Sequence, residues 1–340
     1  MKKPIVSFFL AGLMSVVVHG QVPSSTWSVT REIHLGGEGG WDYLATDAPG
    51  QRLFVTHGNH VLVLDLKTGS VVGSLDSARA HGVAFAPDLN RGFISNGDSG
   101  KITIFDLQTL KPLQSVKVGD NPDAICYEPG TKQVFAFNGR SRTVSIVDPA
   151  TGKVAGEFPV PGKPEFAQVD GSGFVFDNIE DKGLVLKIDA AKKAIVAQWS
   201  LPVGSDPSGL AIDAAHHRLF SACGDKKLHV LDSDTGKVIA TLPIGEGVDA
   251  VAFDPVNQHV FASCGDGTLT VIKEQSPDQY SVEAQVKTEP GARTMAFDSA
   301  SQTAYLSCAS FGPAPTPTAE HPHPRPSPLP DSFKLLVVKP

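Results

Sequence analysis

Helical periodicity is almost missing from this 340-residue chain. Outside the N-terminus no stretch keeps apolar residues at i, i+3, i+4 and i+7 for long, which argues against long helices. Clustered basic residues are missing too. Lys and Arg number 29 against 36 Asp and Glu, a formal charge of −7, whereas a large nucleic-acid footprint needs grouped Lys and Arg. Aromatics make up only 7%, and most phenylalanines fall at positions that read as core. Few are left as stacking platforms for a single strand, so a nucleic-acid partner is not expected. No GxSxG, HExxH or GxxxxGK[ST] occurs beyond the first 20 residues, which removes the strongest signals for common hydrolase and nucleotide chemistry. Cysteines number four, with no CxxC or HxxxH spacing. Abundance lies elsewhere: 33 glycines and 26 prolines, scattered widely, imply many turns.

The N-terminus reads as an export signal. Lys2 and Lys3 precede an apolar run from Ile5 to Val18, and Val18-His19-Gly20 offers a cleavage point before Gln21. That run is shorter than the roughly 20 residues a membrane span requires. The expectation is a signal peptide over 1–20, then a periplasmic or secreted protein over 21–340 with no membrane span. Without Lys2 and Lys3 the charge becomes −9, from 27 basic and 36 acidic residues.

Aligned on itself, the chain shows one unit seven times. "LFSACGDKKLHVLD" from Leu219 and "VFASCGDGTLTVIK" from Val260 are two copies 41 residues apart. One position before the first turn of each unit is Asp47, Ala86, Glu128, Asp170, Asp213, Asp254 and Asp298. Each unit reads as four short strands, with a tight turn such as "DPATGKV" before the fourth. Four strands per 40-odd residues predict an all-β, seven-bladed β-propeller. The final "KLLVVKP" leaves the seventh blade one strand short, and "WSVTREIHLGG" near the N-terminus alternates as a strand should. Pairing the two closes the ring and leaves no long open edge.

The stretch "VFAFNGRSRTVSIVDPATGKV" resembles the repeat of YVTN-type β-propellers, which include YncE-like exported bacterial proteins, and the likeness covers nearly all of residues 21–340. The resemblance implies the fold and leaves function open, because that fold hosts binding proteins and enzymes alike. Some YncE-like relatives are associated with DNA binding, but this acidic chain has no basic tract to carry that over. Trp199 sits near a position reminiscent of quinone-cofactor dehydrogenase repeats, and no other blade follows it.

Strand order puts the fourth-to-first and second-to-third loops on one face, where loops on a rigid scaffold carry function. Five residues before each anchor stand Asp42, His81, Asp123, Glu165, Ser208, Asp249 and Arg293, expected to converge on the axis. One reading is solvation of a wet channel mouth. The other is a ligand site, in which Asp42, Asp123, Glu165 and Asp249 could hold one divalent ion as the cofactor, or His81 and Arg293 an organic anion. Ten residues after the anchors stand His57, Asn96, Asn138, Cys223, Cys264 and Cys308, with Asn178 joining if two residues are deleted from blade four.

Equivalent cysteines on neighbouring blades are expected to lie too far apart for disulfides. They read as small packing residues, or as a soft-metal site completed by His57. Cys126 reads as a small buried hydrophobe. The last blade carries a proline-rich insertion at about 309–333, with eight prolines between Gly312 and Phe333. It is expected to be a flap beside or over the mouth, with Glu320, His321, His323 and Arg325 as contacts, or an exposed linker or docking arm.

Two functions remain open. One is a non-catalytic, monomeric binding protein of the cell envelope with a small-molecule or protein partner. The other is a metal-dependent lactonase- or lyase-like enzyme with His81 as general base.

Overall fold

The computed structural model describes residues 26–316, 318 and 326–340. The proposed signal segment, Glu320, His321, His323 and Arg325 therefore lie outside the described residues. The described chain forms seven four-stranded antiparallel sheets and, besides them, two short 3-10 turns. Six sheets run first strand to fourth in sequence order. The seventh takes its outer strand, Ser28–His34, from the N-terminal end. Ile33 pairs with Leu335 and Val29 with Val338, so the ring closes as the repeat count predicts.

The described residues form no single core. Seven apolar seams lie between consecutive blades, and the seam of blades one and two, for example, joins Phe54, Val61 and Val63 to Val83, Ile94 and Phe105. The third residue of every second strand feeds a seam: Phe54, Phe93, Phe135, Phe176, Phe220, Phe261 and Tyr305 are all buried. Strand alternation sends every second side chain to the same face of its blade, so a 40-residue repeat builds seven equivalent layers. Trp27, just before the closing strand, is buried in the seam of blades six and seven, edge-on to Phe261 at 5.0 Å.

Main-chain bonds fix the loop face. The residue that follows the second strand donates to the carbonyl two residues before the axial position in six blades: Gly58 to Gly40, Gly97 to Arg79, Gly139 to Asn121, Glu180 to Lys163, Gly224 to Asp206 and Gly265 to Gly247. The two loop sets are thereby laced together on one side of the disc.

Candidate functional site: the axial mouth

In six blades the first strand loses register immediately after its first pair. The breaks fall between Trp41 and Leu44, Ala80 and Val83, Pro122 and Ile125, Pro164 and Ala167, Pro207 and Leu210, and Val248 and Ala250. Such a bulge re-aims side chains out of the pleat. It frees Asp42, His81, Asp123, Glu165, Ser208 and Asp249 to face the axis.

These side chains meet in two arcs. In the first, His81 Nδ1 donates to Asp42 Oδ2 at 2.5 Å and lies 3.6 Å from Asp123 Oδ1. The three residues offer ligand atoms within 4.8 Å of one another. His81 Nε2 is buried with no hydrogen-bond partner among the described residues. A Cβ on Gly97 would stand 2.5 Å from that nitrogen, so glycine there leaves room for the ring. In the second arc, Arg293 Nε lies 2.6 Å from Asp249 Oδ2, and Ser208 Oγ donates to Asp249 Oδ1 at 3.3 Å. Glu165 sits between the arcs, 2.7 Å from Lys163 Nζ, which also binds Glu180.

Electrostatics follow from burial. Burial, with the charge of Asp42, pushes Asp123 well above the usual carboxylate range, against the opposing pull of His81. Burial lifts Glu165 to about 7 although Lys163 opposes it, and burial lifts Asp249 against Arg293. Burial draws His81 down, but its bond to Asp42 and the charges of Asp123 and Asp42 outweigh that and leave the ring raised.

Three residues that the repeat alignment did not single out add to the site. Tyr43, beside Asp42, crosses the axis: its hydroxyl donates to the Glu165 carbonyl at 3.0 Å and its ring packs 4.9 Å from Phe166. Together they form a floor under the carboxylates, with a narrow cavity lined by Asp42, Asp249, Thr294 and Met295. The other blades hold Gly82, Ala124, Gly209, Ala250 and Thr294 at this position. The signal was present as two aromatics, three blades apart, where small residues are the rule. Asp177 is fully buried with neither carboxylate oxygen hydrogen-bonded among the described residues. Burial and then the Glu165 charge hold it well above the usual range. Its equivalents are Val55, Ile94, Ala136, Ser221, Ala262 and Leu306.

The second set of residues is not brought together. Cys223, Cys264 and Cys308 lie in three different seams, each fully buried and unbridged. Asn96 is absorbed by Ser77 of the preceding loop and by Thr103, and Asn138 by Thr143 and Ser145 of its own blade. His57 stacks on Phe333 with centroids 3.9 Å apart, and burial lowers its pKa. Asn178 does not join this set. Pro164 pairs with Ile179, as Pro122 pairs with Asn138, so blade four is shorter by one residue rather than two. Asn178 instead donates across the seam to the Ser208 and Gly209 carbonyls. Cys126 is only partly buried, against the seam of blades three and four.

The stems of the proline-rich insertion dock beside the mouth. Phe311 pairs with Pro328, Asp331 exchanges bonds with Gly37, and the rings of Phe311 and Phe333 lie 6.0 and 5.4 Å from Trp41, the neighbour of Asp42.

No family model matches the chain. Over 94 residues it is 21% identical to the uncharacterized protein YncE of Salmonella typhimurium (strain LT2), a stretch that makes up 27% of this chain and 27% of that protein. The chain thus aligns with about a quarter of that relative's length. Among solved structures, that of U3-55K superposes with a TM-score of 0.72 at 11% identity, covering 91% of this chain and 99% of that one. At that identity the likeness shows the fold alone.

Proposed function

For this chain, a YncE-like seven-bladed β-propeller, we propose a role as an exported, monomeric binding protein of the cell envelope whose ligand presents a cationic group to the axial mouth. The N-terminal pattern of Lys2, Lys3 and the run from Ile5 to Val18 supports export. No helix among the described residues is long and apolar enough to cross a membrane.

One observation carries the ligand reading. Asp42, His81 and Asp123 converge within 4.8 Å, and His81 Nε2 is buried without a hydrogen-bond partner among the described residues. Gathered carboxylates raise one another's pKa until a cation neutralises them. Here His81 and Arg293 partly do so, and a ligand cation between Asp42 and Asp123 would complete the balance. Its partner is a small molecule, or a protein that inserts a basic side chain. The same donor set of two carboxylates and one imidazole suits a divalent ion, which keeps the lactonase-like reading as second choice. If the carboxylates alone held the ion, His81 Nε2 would be free to act as the base.

Thermal melts of the purified protein with Ca²⁺, Mn²⁺, Zn²⁺ or an aliphatic diamine test this. At least one probe should raise the melting temperature of the parent and not of Asp123→Asn. If none does, or if the variant responds equally, the mouth is only a solvated end of the channel. Lactone hydrolysis that depends on the bound ion would favour the enzyme reading.

A further inference from the structure

A second constellation lies away from the axis, in blade five. Cys223, Asp225 and His229 offer a thiol, a carboxylate oxygen and a ring nitrogen within 4.8 Å of one another. Cys223 ends the second strand of the blade (Arg218–Cys223) and His229 lies in the third (Lys227–Asp232), joined by a three-residue turn through Asp225. Cys223 pairs with Lys227 and Ser221 with His229. Directly opposed residues share a face, so the thiol and the imidazole are diagonal neighbours on one side of the sheet.

The repeat supplies an internal control. Blade six has the same "CGD" turn, but there Asp266 is satisfied by Thr268 through both its main-chain N–H and its hydroxyl, and by the N–H of Glu246. Blade five puts Lys227 in place of Thr268 and His229 in place of Thr270. Asp225 Oδ1 is consequently buried with no hydrogen-bond partner among the described residues. Its Oδ2 meets the half-exposed Lys227, at 3.1 Å. The imidazole is held from behind by Thr241 Oγ1, 3.0 Å from Nδ1. Nε2 faces Ser205 Oγ at 3.2 Å, and Cys223 Sγ–H donates to the Ser221 carbonyl at 3.8 Å. A hydrogen bond that holds one ring nitrogen and leaves the other for the ion is how metal-binding histidines are oriented. An open depression lined by Asp181, Lys182, Leu201, Val203 and Asp206 reaches Ser205, the neighbour of His229 Nε2.

We propose that Cys223 Sγ, His229 Nε2 and the Asp225 carboxylate form a binding site for a thiophilic divalent ion of the Zn²⁺ class, with Ser205 or a water as fourth ligand. Thiolate, imidazole and carboxylate at about 2.0–2.3 Å make a tetrahedral set for such an ion. The ligand atoms must close by about 1 Å to reach it, which the Gly224–Lys226 turn and the Ser205 loop can supply. Binding exchanges the thiol proton for the ion and releases it to solvent, while Lys227 swings into water. This site is independent of the axial mouth and shares no residue with it.

Titration of the full chain with Co²⁺ tests the assignment. A thiolate-to-cobalt charge-transfer absorption should grow to saturation at one equivalent and vanish when Zn²⁺ is added. Cys223→Ser should abolish it, while His229→Asn and Asp225→Asn should each weaken Co²⁺ binding at least tenfold. Cys264→Ser and Asp123→Asn should leave it intact. Circular dichroism checks the fold of each variant, and Asp225→Asn, on the turn, serves where Cys223→Ser does not fold. No thiolate band, or one that survives Cys223→Ser, overturns the proposal.

Discussion

The hydroxyl of Tyr43 donates to the main-chain carbonyl of Glu165 at 3.0 Å, although 122 positions and three blades separate them. Residues from nearly opposite blades touch only at the axis, so this bond marks where the channel is closed. Tyr43→Phe removes the donor and should cost about 1–2 kcal/mol. Tyr43→Ala also opens the floor and should cost about 3–5 kcal/mol. Urea midpoints measure both, and equal midpoints for Tyr43→Phe and the parent would mean that the bond contributes nothing.

Stability should fall from mildly acidic to alkaline pH. A carboxyl whose folded pKa is raised keeps a proton that the unfolded chain has already lost, so stability declines as pH climbs between the two values. Asp123, Glu165, Asp177 and Asp249 are all of this kind. For Glu165 the window runs from 4.5 to about 7. His81, raised from 6.5, stabilises below that value and loses its contribution as pH rises through its folded pKa, the same direction. On the acid side, turn carboxylates such as Asp65 and Asp106, lowered first by the N–H of Thr68 and Thr109, stabilise at ordinary pH and fail as they protonate. The maximum should lie at about pH 4, where the two sets of windows meet. Melting temperatures across pH check it, and Glu165→Gln should flatten the decline above 4.5 by at most roughly 3 kcal/mol.

Binding and stability should oppose each other at the mouth. Asp123→Asn replaces a carboxylate that burial disfavours, so the variant should be more stable than the parent at pH 9, by about 1 kcal/mol. It should lose the response to cations at the same time. Paired melts with and without Mn²⁺ read both quantities. A variant less stable at pH 9 would show that Asp123 is there to hold His81 in place.

Ring closure depends on the N-terminal strand. Trp27→Ala should cost about 3–5 kcal/mol, because the indole is buried in the last seam. Deleting 26–34 would bare the Lys334–Lys339 edge, whose Leu335, Leu336, Val337 and Val338 pair in register with other strands. Light scattering should then report association through that edge. A truncated chain that stays monomeric would show the closure to be dispensable.

The axial positions were legible because they recur at a fixed offset from the turn anchor, and the bulge after the first pair turns that offset into a direction. The second set had an equally regular offset and still did not converge. Its side chains fall on the blade faces that pack in the seams, so regular spacing became six separate environments. Blade four shows the limit of counting, since one missing residue moved Asn178 from the loop end to the seam, and only the pairing of Pro164 with Ile179 reveals it.

The order of residues alone determined the number of blades, the closing strand and which side chains line the mouth. Each of these follows from strand alternation and turn chemistry, which act over a few neighbours. Tertiary structure alone decided that Tyr43 plugs the channel, that His81 is shared between Asp42 and Asp123, and that Cys223 keeps company with His229 and Asp225 rather than with the other cysteines. Those outcomes depend on distances across the axis and across a single sheet face. Such distances are fixed only when the whole circle has closed.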